Sequence, residues 1–255
     1  MLDRINAWYD RDMYPPFADR AASGDFRNYG YWGSGTTGVR DASELLMEVL
    51  LGFIPDKRGT IVDVACGKGA TTRHLLRYYP AASVSGINIS AKQLATCRQN
   101  APECDFRLMS ATKLEFESES FDNVICVEAA LHFDTRRAFI DEAYRVLKPG
   151  GRLVLSDVLV SSSAAPTSFF PSENYVANPH AYEELYRNAG FSDVTVIDAT
   201  EQVFVSFCKR SARALKRGLR TGRISAKRYR RAKDRLLSRV LRVRFYVLAC
   251  ARKSG

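Results

Sequence analysis

Metal-binding and disulfide patterns are scarce in this sequence. The chain has three histidines and six cysteines, and no two cysteines are spaced as a CxxC pair. Because a zinc site needs grouped thiolate, imidazole or carboxylate ligands, we predict no metal site. Several cysteines lie inside apolar runs, where a thiol packs as a small hydrophobic side chain. Reduced thiols suit a reducing compartment, so we predict a cytoplasmic protein.

Long apolar runs are also missing. No stretch approaches the roughly 20 apolar residues that span a bilayer. Residues 1–17 mix charged and aromatic side chains and lack the apolar centre of a signal peptide. The chain has 255 residues and 46% hydrophobic side chains. These values fit one large globular α/β domain with a buried core.

Strand-like and helix-like segments alternate from residue 60 onward. The predicted strands are 60–65, 83–89, 105–109, 121–127, 152–160, 193–198 and 243–251. The predicted helices are 41–51, 71–79, 91–99, 137–147 and 181–189. This order implies parallel strands joined by right-handed crossovers. We therefore predict an α/β fold with a mostly parallel seven-stranded sheet and helices on both faces.

A glycine-rich turn follows the first predicted strand. Residues 63–69 read Asp-Val-Ala-Cys-Gly-Lys-Gly. Glycine lets the backbone approach a ligand without a Cβ atom in the way, and ligands of open parallel sheets bind beyond the carboxyl ends of the strands. The turn predicts a ligand site, with a plain tight turn as the alternative. A dinucleotide loop would have a third glycine at position 72, where this chain has Thr72, so NAD is disfavoured.

This turn and four further motifs resemble the class I S-adenosylmethionine-dependent methyltransferases, in the branch acting on small natural products, sugars, quinones and lipids. The motifs are NYGYW at 28–32, IVDVACGKG at 61–69, GINIS at 86–90 followed by Gln93, FDNVICVEAALHF at 121–133 and RVLKPGGRLVLSD at 145–157. The resemblance implies a single Rossmann-like methyltransferase domain over residues 1–255. Its expected parts are an N-terminal lid and helix at 1–53, a cofactor-binding core at 54–160, and a substrate-side loop, basic helices and the last two strands at 161–255.

The resemblance also implies which residues bind the cofactor, S-adenosylmethionine. The expected cofactor-binding residues are Tyr29, Trp32, Asp63, Ala65, Gly67, Gly69, Asn88, Ile89, Gln93, Ser110, Ala111, Thr112 and Glu128. The glycines would lie beside its methionine and ribose, the second strand by the ribose, and residues 110–112 by the adenine. The aromatic residues of 28–32 would close over the methionine end, with ordinary core packing as the alternative. The alternative for Asn88 is that it is an ordinary turn residue.

Three polar residues are candidates for the catalytic cleft. His132 and Glu128 follow the fourth predicted strand and Asp157 ends the fifth, so all three should point the same way. His132 is the candidate general base because imidazole titrates near neutral pH, and a structural histidine is the alternative. Glu128 is expected to bind the cofactor, orient the acceptor or cap the next helix, and Asp157 to contact the acceptor. Leu131 stands where relatives often carry a catalytic residue, so a base-free reaction stays open.

The predicted function is methyl transfer to an O, N or C atom of a small, partly apolar metabolite in specialised (natural-product) biosynthesis, by a monomer or homodimer. Phe169 and Phe170 are expected to line the acceptor pocket. Three alternatives remain: a protein that binds the cofactor without methyl transfer, a cyclase on the same scaffold, and an NAD-dependent oxidoreductase.

Basic charge is concentrated near the carboxyl terminus. Residues 209–253 contain 18 Lys and Arg against one acid, Asp234, while the rest of the chain has a balance of −7. Residues 209–244 are predicted to form one or two helices with a solvated basic face. The alternatives are guidance of an anionic or lipid-like acceptor, contact with an anionic membrane surface, and nucleic-acid binding. Nucleic acid is the least favoured, because no RNA-binding module is present.

Overall fold

Short segments rich in β-branched residues form the central strands, because such side chains pack well on a pleated surface. The computed structural model describes residues 24–162 and 170–255. The strands are β1 Ile61–Val64, β2 Val84–Asn88, β3 Asp105–Leu108, β4 Phe121–Val127, β5 Leu147–Val160, β6 Phe191–Asp198 and β7 Val243–Lys253. They form one sheet in the order β3-β2-β1-β4-β5-β7-β6, with β7 antiparallel to both neighbours. The predicted α/β class and mostly parallel seven-stranded sheet are confirmed.

Amphipathic segments form the helices, and polar residues cap several of them. The helices are α1 Val39–Leu51, α2 Ala70–Leu75, α3 Ala91–Asn100, α4 Arg136–Val146, α5 Pro179–Asn188, α6 Ser206–Arg220 and α7 Ala226–Arg242. The side chains of Ser90, Thr135, Asn178 and Ser225 accept hydrogen bonds from the first turns of α3, α4, α5 and α7. Among the helices of the described ranges, none is long and apolar enough to cross a membrane.

Successive side chains of the central strands enter two different cores, one on each face of the sheet. In β4, Ile125 packs into one core, while Val124 and Cys126 pack into the other. In β5, Val154 and Leu155 divide in the same way. Because both faces are covered by helices, these strands are apolar on both sides.

Some predicted boundaries were wrong. The helix predicted for 71–79 ends at Leu75, and tighter turns follow in which the N–H groups of Tyr78 and Tyr79 both donate to the Leu75 carbonyl. Pro80 comes next, and a residue before proline disfavours the helical conformation. The fifth strand starts at Leu147 rather than 152, so it includes the Pro-Gly-Gly turn. The loop predicted at 161–171 lies largely on residues 163–169, outside the described part.

The strand order creates a crevice at the carboxyl edge of the sheet. β1 pairs with β2 on one side and with β4 on the other, so the chain reverses its direction of winding at β1. The loops that leave β1 and β4 therefore turn toward opposite faces and open a space between them. The predicted division of the chain at residues 53 and 160 stays a prediction.

A segment at residues 28–32 crosses this edge and is fastened to α1. The N–H of Tyr31 donates to the carbonyl of Ala42 at 2.8 Å. Gly30 makes this approach feasible, because it has a φ of 74° and an added Cβ would lie 2.6 Å from the Ala42 Cβ. The N–H of Trp32 donates to the carbonyl of Gln202 at 3.0 Å, which joins the segment to the turn before α6.

Substitution of Gly30 should test how closely this segment must approach α1. Gly30→Ala is expected to lower the free energy of unfolding by about 1–3 kcal/mol from overpacking, added to about 1 kcal/mol from the left-handed backbone. Gly35→Ala is the matched control, since Gly35 also has a positive φ but an added Cβ meets no atom within 4 Å. Chemical denaturation measures both. Equal losses in the two variants would show that the contact with Ala42 does not constrain the segment.

Candidate functional site

An open cavity of ≈ 1160 Å³ lies at the crevice between the carboxyl ends of β1 and β4. It brings together many of the residues predicted from the sequence. Those that line it are Ala65, Gly67, Asn88, Ile89, Gln93, Ser110, Ala111, Glu128 and His132. The remaining predicted residues, Tyr29, Trp32, Asp63, Gly69, Thr112 and Asp157, do not contribute to its wall.

The two glycines of the turn after β1 have different roles. An added Cβ at Gly67 would meet no atom within 4 Å, so the bare backbone borders the open cavity. At Gly69 an added Cβ would lie 3.0 Å from the Cα of Cys97 in α3. Both residues have positive φ angles, 57° and 81°. Gly67 thus leaves room for a ligand, whereas Gly69 lets α3 pack closely and does not border the ligand space.

Asp63 lies beneath the turn rather than in the cavity wall. It is 1% exposed, and its Oδ2 accepts hydrogen bonds from the hydroxyls of Thr71 at 2.6 Å and Thr72 at 2.7 Å. Burial raises the pKa of Asp63 to about 6, although both hydroxyl bonds act in the opposite direction. One of these bonds comes from Thr72, at the position that disfavoured a dinucleotide loop, and the expected role of Asp63 in cofactor binding stays a prediction.

Asn88 uses its side chain to hold the glycine turn. Its Nδ2 donates to the Gly67 carbonyl at 3.1 Å and to Oε1 of Gln93 at 2.9 Å. Its Oδ1 accepts the N–H of Ser90 at 3.1 Å. The amide lines the cavity, but all three of these bonds go to the protein itself. Asn88 therefore fixes the shape of the site.

Residues 110–112 form a small hydroxyl-bearing wall. Ser110 and Ala111 line the cavity, while Thr112 lies behind them. The N–H of Thr112 donates to Oγ of Ser110 at 3.2 Å, and the two hydroxyl oxygens lie 3.0 Å apart. Thr112 thus orients the Ser110 hydroxyl and does not face the ligand space.

Glu128 joins three distant parts of the chain at the cavity. Its Oε1 accepts the N–H of Tyr29 at 2.7 Å and the phenol O–H of Tyr246 at 2.7 Å. Burial raises the pKa of Glu128 to about 8, although both hydrogen bonds oppose the shift. Its φ of 54° is uncommon for a residue with a Cβ. The carboxyl group thus fastens the 28–32 segment to the ends of β4 and β7.

The aromatic rings of Tyr29 and Trp32 point away from the cavity. Tyr29 packs edge-to-face against Phe204 and Phe207, with ring centroids 5.5 and 4.8 Å away. The guanidinium of Arg210 lies 4.5 Å from the centroid of the Trp32 ring. In this structure the rings pack on the apolar and cationic surface of α6 and the turn before it, and their expected closure over the cofactor stays a prediction. Residues 25–28 line the cavity instead.

Asp157 was expected to contact a substrate and is instead fully buried below the site. Its carboxylate pairs with Nε of Arg136 at 2.6 Å and accepts the O–H of Tyr182 at 2.9 Å. It also accepts the N–H of Leu131 at 3.1 Å. A carboxylate without water needs such partners. Asp157 therefore holds the Ala130–His132 turn in place from beneath, and its predicted substrate contact is not supported.

Asn28 is a cavity residue that the sequence reasoning missed. Its side-chain oxygen and nitrogen are both buried, and within the part of the chain that the structure describes neither has a hydrogen-bond partner. A carboxamide offers an acceptor and two donors. The NYGYW motif marked this region, but nothing in the sequence showed that Asn28 faces inward while Tyr29 faces outward.

These features fit S-adenosylmethionine. The unpartnered Asn28 amide can pair with an amino group and a carboxylate, the bare backbone at Gly67 leaves space, and Ser110 offers a hydroxyl. Residues 24–162 and 170–255 contain no group of three or more His, Cys, Asp or Glu that could hold a metal ion. A glycine turn after β1 of a mostly parallel seven-stranded sheet is the arrangement that the class I methyltransferase resemblance implied.

Comparison with known proteins agrees with this class. The family described as a methyltransferase domain matches residues 62–155. The chain is 30% identical over 219 residues to erythromycin 3''-O-methyltransferase of Saccharopolyspora erythraea, covering 76% of this chain and 71% of that protein. It is 31% identical over 201 residues to the O-methyltransferase cnsE of Penicillium expansum, covering 73% and 72%. The solved structure of the [4+2]-cyclase SpnF shares the fold, with a TM-score of 0.76 at 23% identity over 100% of this chain and 97% of that one.

The protein belongs to the class I S-adenosylmethionine-dependent methyltransferases that act on small molecules. The cofactor predicted from the glycine turn, S-adenosylmethionine, is confirmed by this family membership. The NAD-dependent alternative is set aside on the same ground.

The two glycines should respond differently to the same substitution. Gly67→Ala is expected to weaken S-adenosylmethionine binding more than about tenfold, or about 1.4 kcal/mol, because the new methyl group enters the ligand space. Its folding cost should be about 1 kcal/mol, from the left-handed backbone alone. Gly69→Ala should lose a further 1–3 kcal/mol or so of stability by pressing on α3. Calorimetry and denaturation separate the two. A larger loss of affinity at Gly69→Ala, compared at equal folded fraction, would reverse these roles.

Stability should fall with pH because of Glu128. Its folded pKa of about 8 exceeds the ordinary value of 4.5, so the folded protein holds a proton that the unfolded chain releases. The contribution is present below pH 4.5 and is lost as the pH rises through about 8. Glu128→Gln keeps a neutral acceptor oxygen, and its stability relative to wild type should rise over this interval.

Urea denaturation at a series of pH values measures this difference. Asp63 is present in both proteins, so its own titration cancels. Glu115→Gln, at an exposed position, is the control and should stay parallel to wild type. A constant difference between Glu128→Gln and wild type from acid to alkaline pH would show that burial does not govern the Glu128 carboxyl.

Proposed function

We propose that the protein methylates a hydroxyl oxygen of a small, partly apolar metabolite in specialised (natural-product) biosynthesis. Two relatives that match it over more than two thirds of their length are named as O-methyltransferases. The observation that carries the proposal is the position of the His132 imidazole, which lies in the cofactor cavity wall and packs against Phe170, a residue that lines a second cavity.

The second cavity supplies a place for the acceptor beside the first. It has a volume of ≈ 550 Å³, and apolar and hydroxyl side chains form most of its wall. Phe170 and Tyr175 line it together with Ser161 and Ser162 at the end of β5. The ring of Phe170 lies 5.5 Å from that of His132. The proposal places the acceptor hydroxyl at this boundary, between the second cavity and His132. Phe169, the other residue predicted to line an acceptor pocket, lies outside the described residues.

The protein's own residues account for three requirements of the reaction. When bound, S-adenosylmethionine supplies an electrophilic methyl group, and Asn28, Gly67 and Ser110 would hold it. His132 accepts the proton of the acceptor hydroxyl at a ring nitrogen as the oxygen becomes nucleophilic. The segment fastened by Glu128 limits the access of water to the cavity. The buried Asp157 fixes the turn that carries His132.

We further propose a cytoplasmic location and a monomeric or homodimeric state. All six cysteines are free, and five of them are buried, which supports a reducing compartment. Nucleic acid is not a proposed partner.

Replacement of His132 should separate catalysis from cofactor binding. His132→Ala is expected to lower kcat by about 10²–10⁴, the usual contribution of a general base, while S-adenosylmethionine affinity stays within about twofold. The assay follows the labelled methyl group into a panel of hydroxyl-bearing polyketides and terpenoids, beside their amine analogues. His180→Ala is the control, because the His180 side chain is 81% exposed on α5.

A fall in kcat of less than about tenfold in His132→Ala would rule out His132 as the base. Transfer to the amines but not to the hydroxyl compounds would replace O-methylation by N-methylation. Cofactor binding without transfer to any compound would favour a reaction of another class on the same scaffold.

A further inference from the structure

The two basic helices form a surface whose charge the folded body does not neutralise. We call residues 206–242 the basic hairpin; it comprises α6, the connection at 221–225, and α7. It contains 15 Lys and Arg against one acid, Asp234. Leaving Arg228 aside, Lys209 is the one basic side chain here with an ion-pair partner among the described residues, Glu201 at 2.7 Å. The hairpin therefore carries a strong positive field.

The basic side chains of α7 follow its helical repeat. Arg230 and Lys233 are exposed and precede Leu237 by seven and four residues, so they lie on the same face of α7 as Leu237. Ala232 and Leu236 are buried on a different side and hold α7 against the body of the protein. This basic face is thus separate from the packing that keeps the hairpin folded.

Three apolar side chains of α7 are exposed next to this charge. Leu237 is 50% exposed, Val240 is 47% exposed and Leu241 is 76% exposed. They occupy neighbouring positions in the last two turns of the helix. A face that only contacts water needs no exposed aliphatic side chains. Exposed hydrophobic residues normally occur singly, whereas these three are adjacent within a basic surface.

The exposed apolar group lies next to the mouth of the second cavity. α7 ends at Arg242, whose carbonyl accepts the N–H of Ser161 at 2.7 Å. Val243 then pairs with Val160, and both Val160 and Ser161 line the second cavity. Tyr175, another residue of that cavity, is 47% exposed. The cavity that would take the acceptor therefore opens beside an apolar and positively charged surface.

We propose that the basic hairpin docks the protein on an anionic lipid bilayer. Leu237, Val240 and Leu241 enter the boundary between headgroups and acyl chains, and Arg230 and Lys233 on the same face contact the lipid phosphates. Nucleic acid would satisfy the basic side chains, but it offers nothing for three adjacent aliphatic side chains. A bilayer satisfies both features at once. The docked orientation presents the second cavity to amphiphilic molecules in the membrane.

Flotation with vesicles tests the docking directly. Full-length protein is mixed with vesicles of phosphatidylcholine alone or of phosphatidylcholine with phosphatidylglycerol. We expect partition to the anionic vesicles only. Each basic side chain near the surface contributes about fivefold to partition, so Arg230→Ala/Lys233→Ala should lose about 25-fold. Leu237→Ser/Leu241→Ser should lose about tenfold or more because their buried apolar area is gone. Raising the salt from about 0.1 M to about 1 M shortens screening to about 3 Å and should release the protein.

Matched variants on the far side of the sheet serve as controls. Leu108→Ser removes a side chain that is 57% exposed on the edge strand β3. Arg58→Ala/Arg107→Ala removes two arginines whose side chains are 88% and 49% exposed. Both should leave partition unchanged. S-adenosylmethionine affinity in solution is measured for every variant, so loss of docking is distinguished from loss of the cofactor site.

Four results would overturn the proposal. The first is equal partition to neutral and anionic vesicles, and the second is no partition at all. The third is retention of the wild-type protein by RNA or by an acidic carrier protein when anionic vesicles compete at equal negative charge, since the hairpin would then serve a macromolecular partner. An equal loss in the control variants would also contradict a docking surface confined to α7.

Discussion

The carboxyl group of Glu128 is the interaction on which the shape of the site depends. It collects hydrogen bonds from Tyr29 and Tyr246, residues separated from it by 99 and 118 positions in the chain. Through Tyr29 it ties the neighbouring residues 25–28, which line the cavity, to the end of β4. The group sits on a backbone with positive φ and has a raised pKa, both of which cost stability. Unfavourable local features of this kind persist where the surrounding structure enforces them and the function uses them.

Sequence alone predicted the sheet and the glycine turn well, because each leaves a local signal. Strand and helix periods depend on neighbouring residues, and the turn after β1 needs glycine where φ is positive. The roles of Gly69, Tyr29 and Asp157 could not be predicted in this way. Each is decided by a partner far away in sequence, namely Cys97, Phe207 and Arg136. A sequence pattern can mark a residue as functionally or structurally important, but it does not show which distant residue contacts it.

The role of Asn28, which the sequence did not predict, shows the same limit of reasoning from sequence patterns. Its buried amide has no partner among the described residues, and such a group is costly unless a ligand completes it. Asn88 has the same chemistry but bonds to Gly67, Gln93 and Ser90. Two carboxamides line one cavity, and one shapes it while the other is left for a ligand. Residue type cannot distinguish them; only the count of satisfied donors and acceptors does.

The positions of the two cavities connect the cofactor site, the proposed acceptor site and the surface formed by α7. The chain crosses from β4 to β5 on one side of the switch point, and the ends of these strands place His132 and Ser161 at adjoining cavities. Because β7 is antiparallel to β5, it begins where β5 ends, and the helix that precedes it must stop there too. The reversed last strand thus brings α7 to the acceptor side of the sheet. In the docking proposal, this basic and apolar helix controls what reaches the acceptor cavity, while the glycine turn shapes the cofactor site.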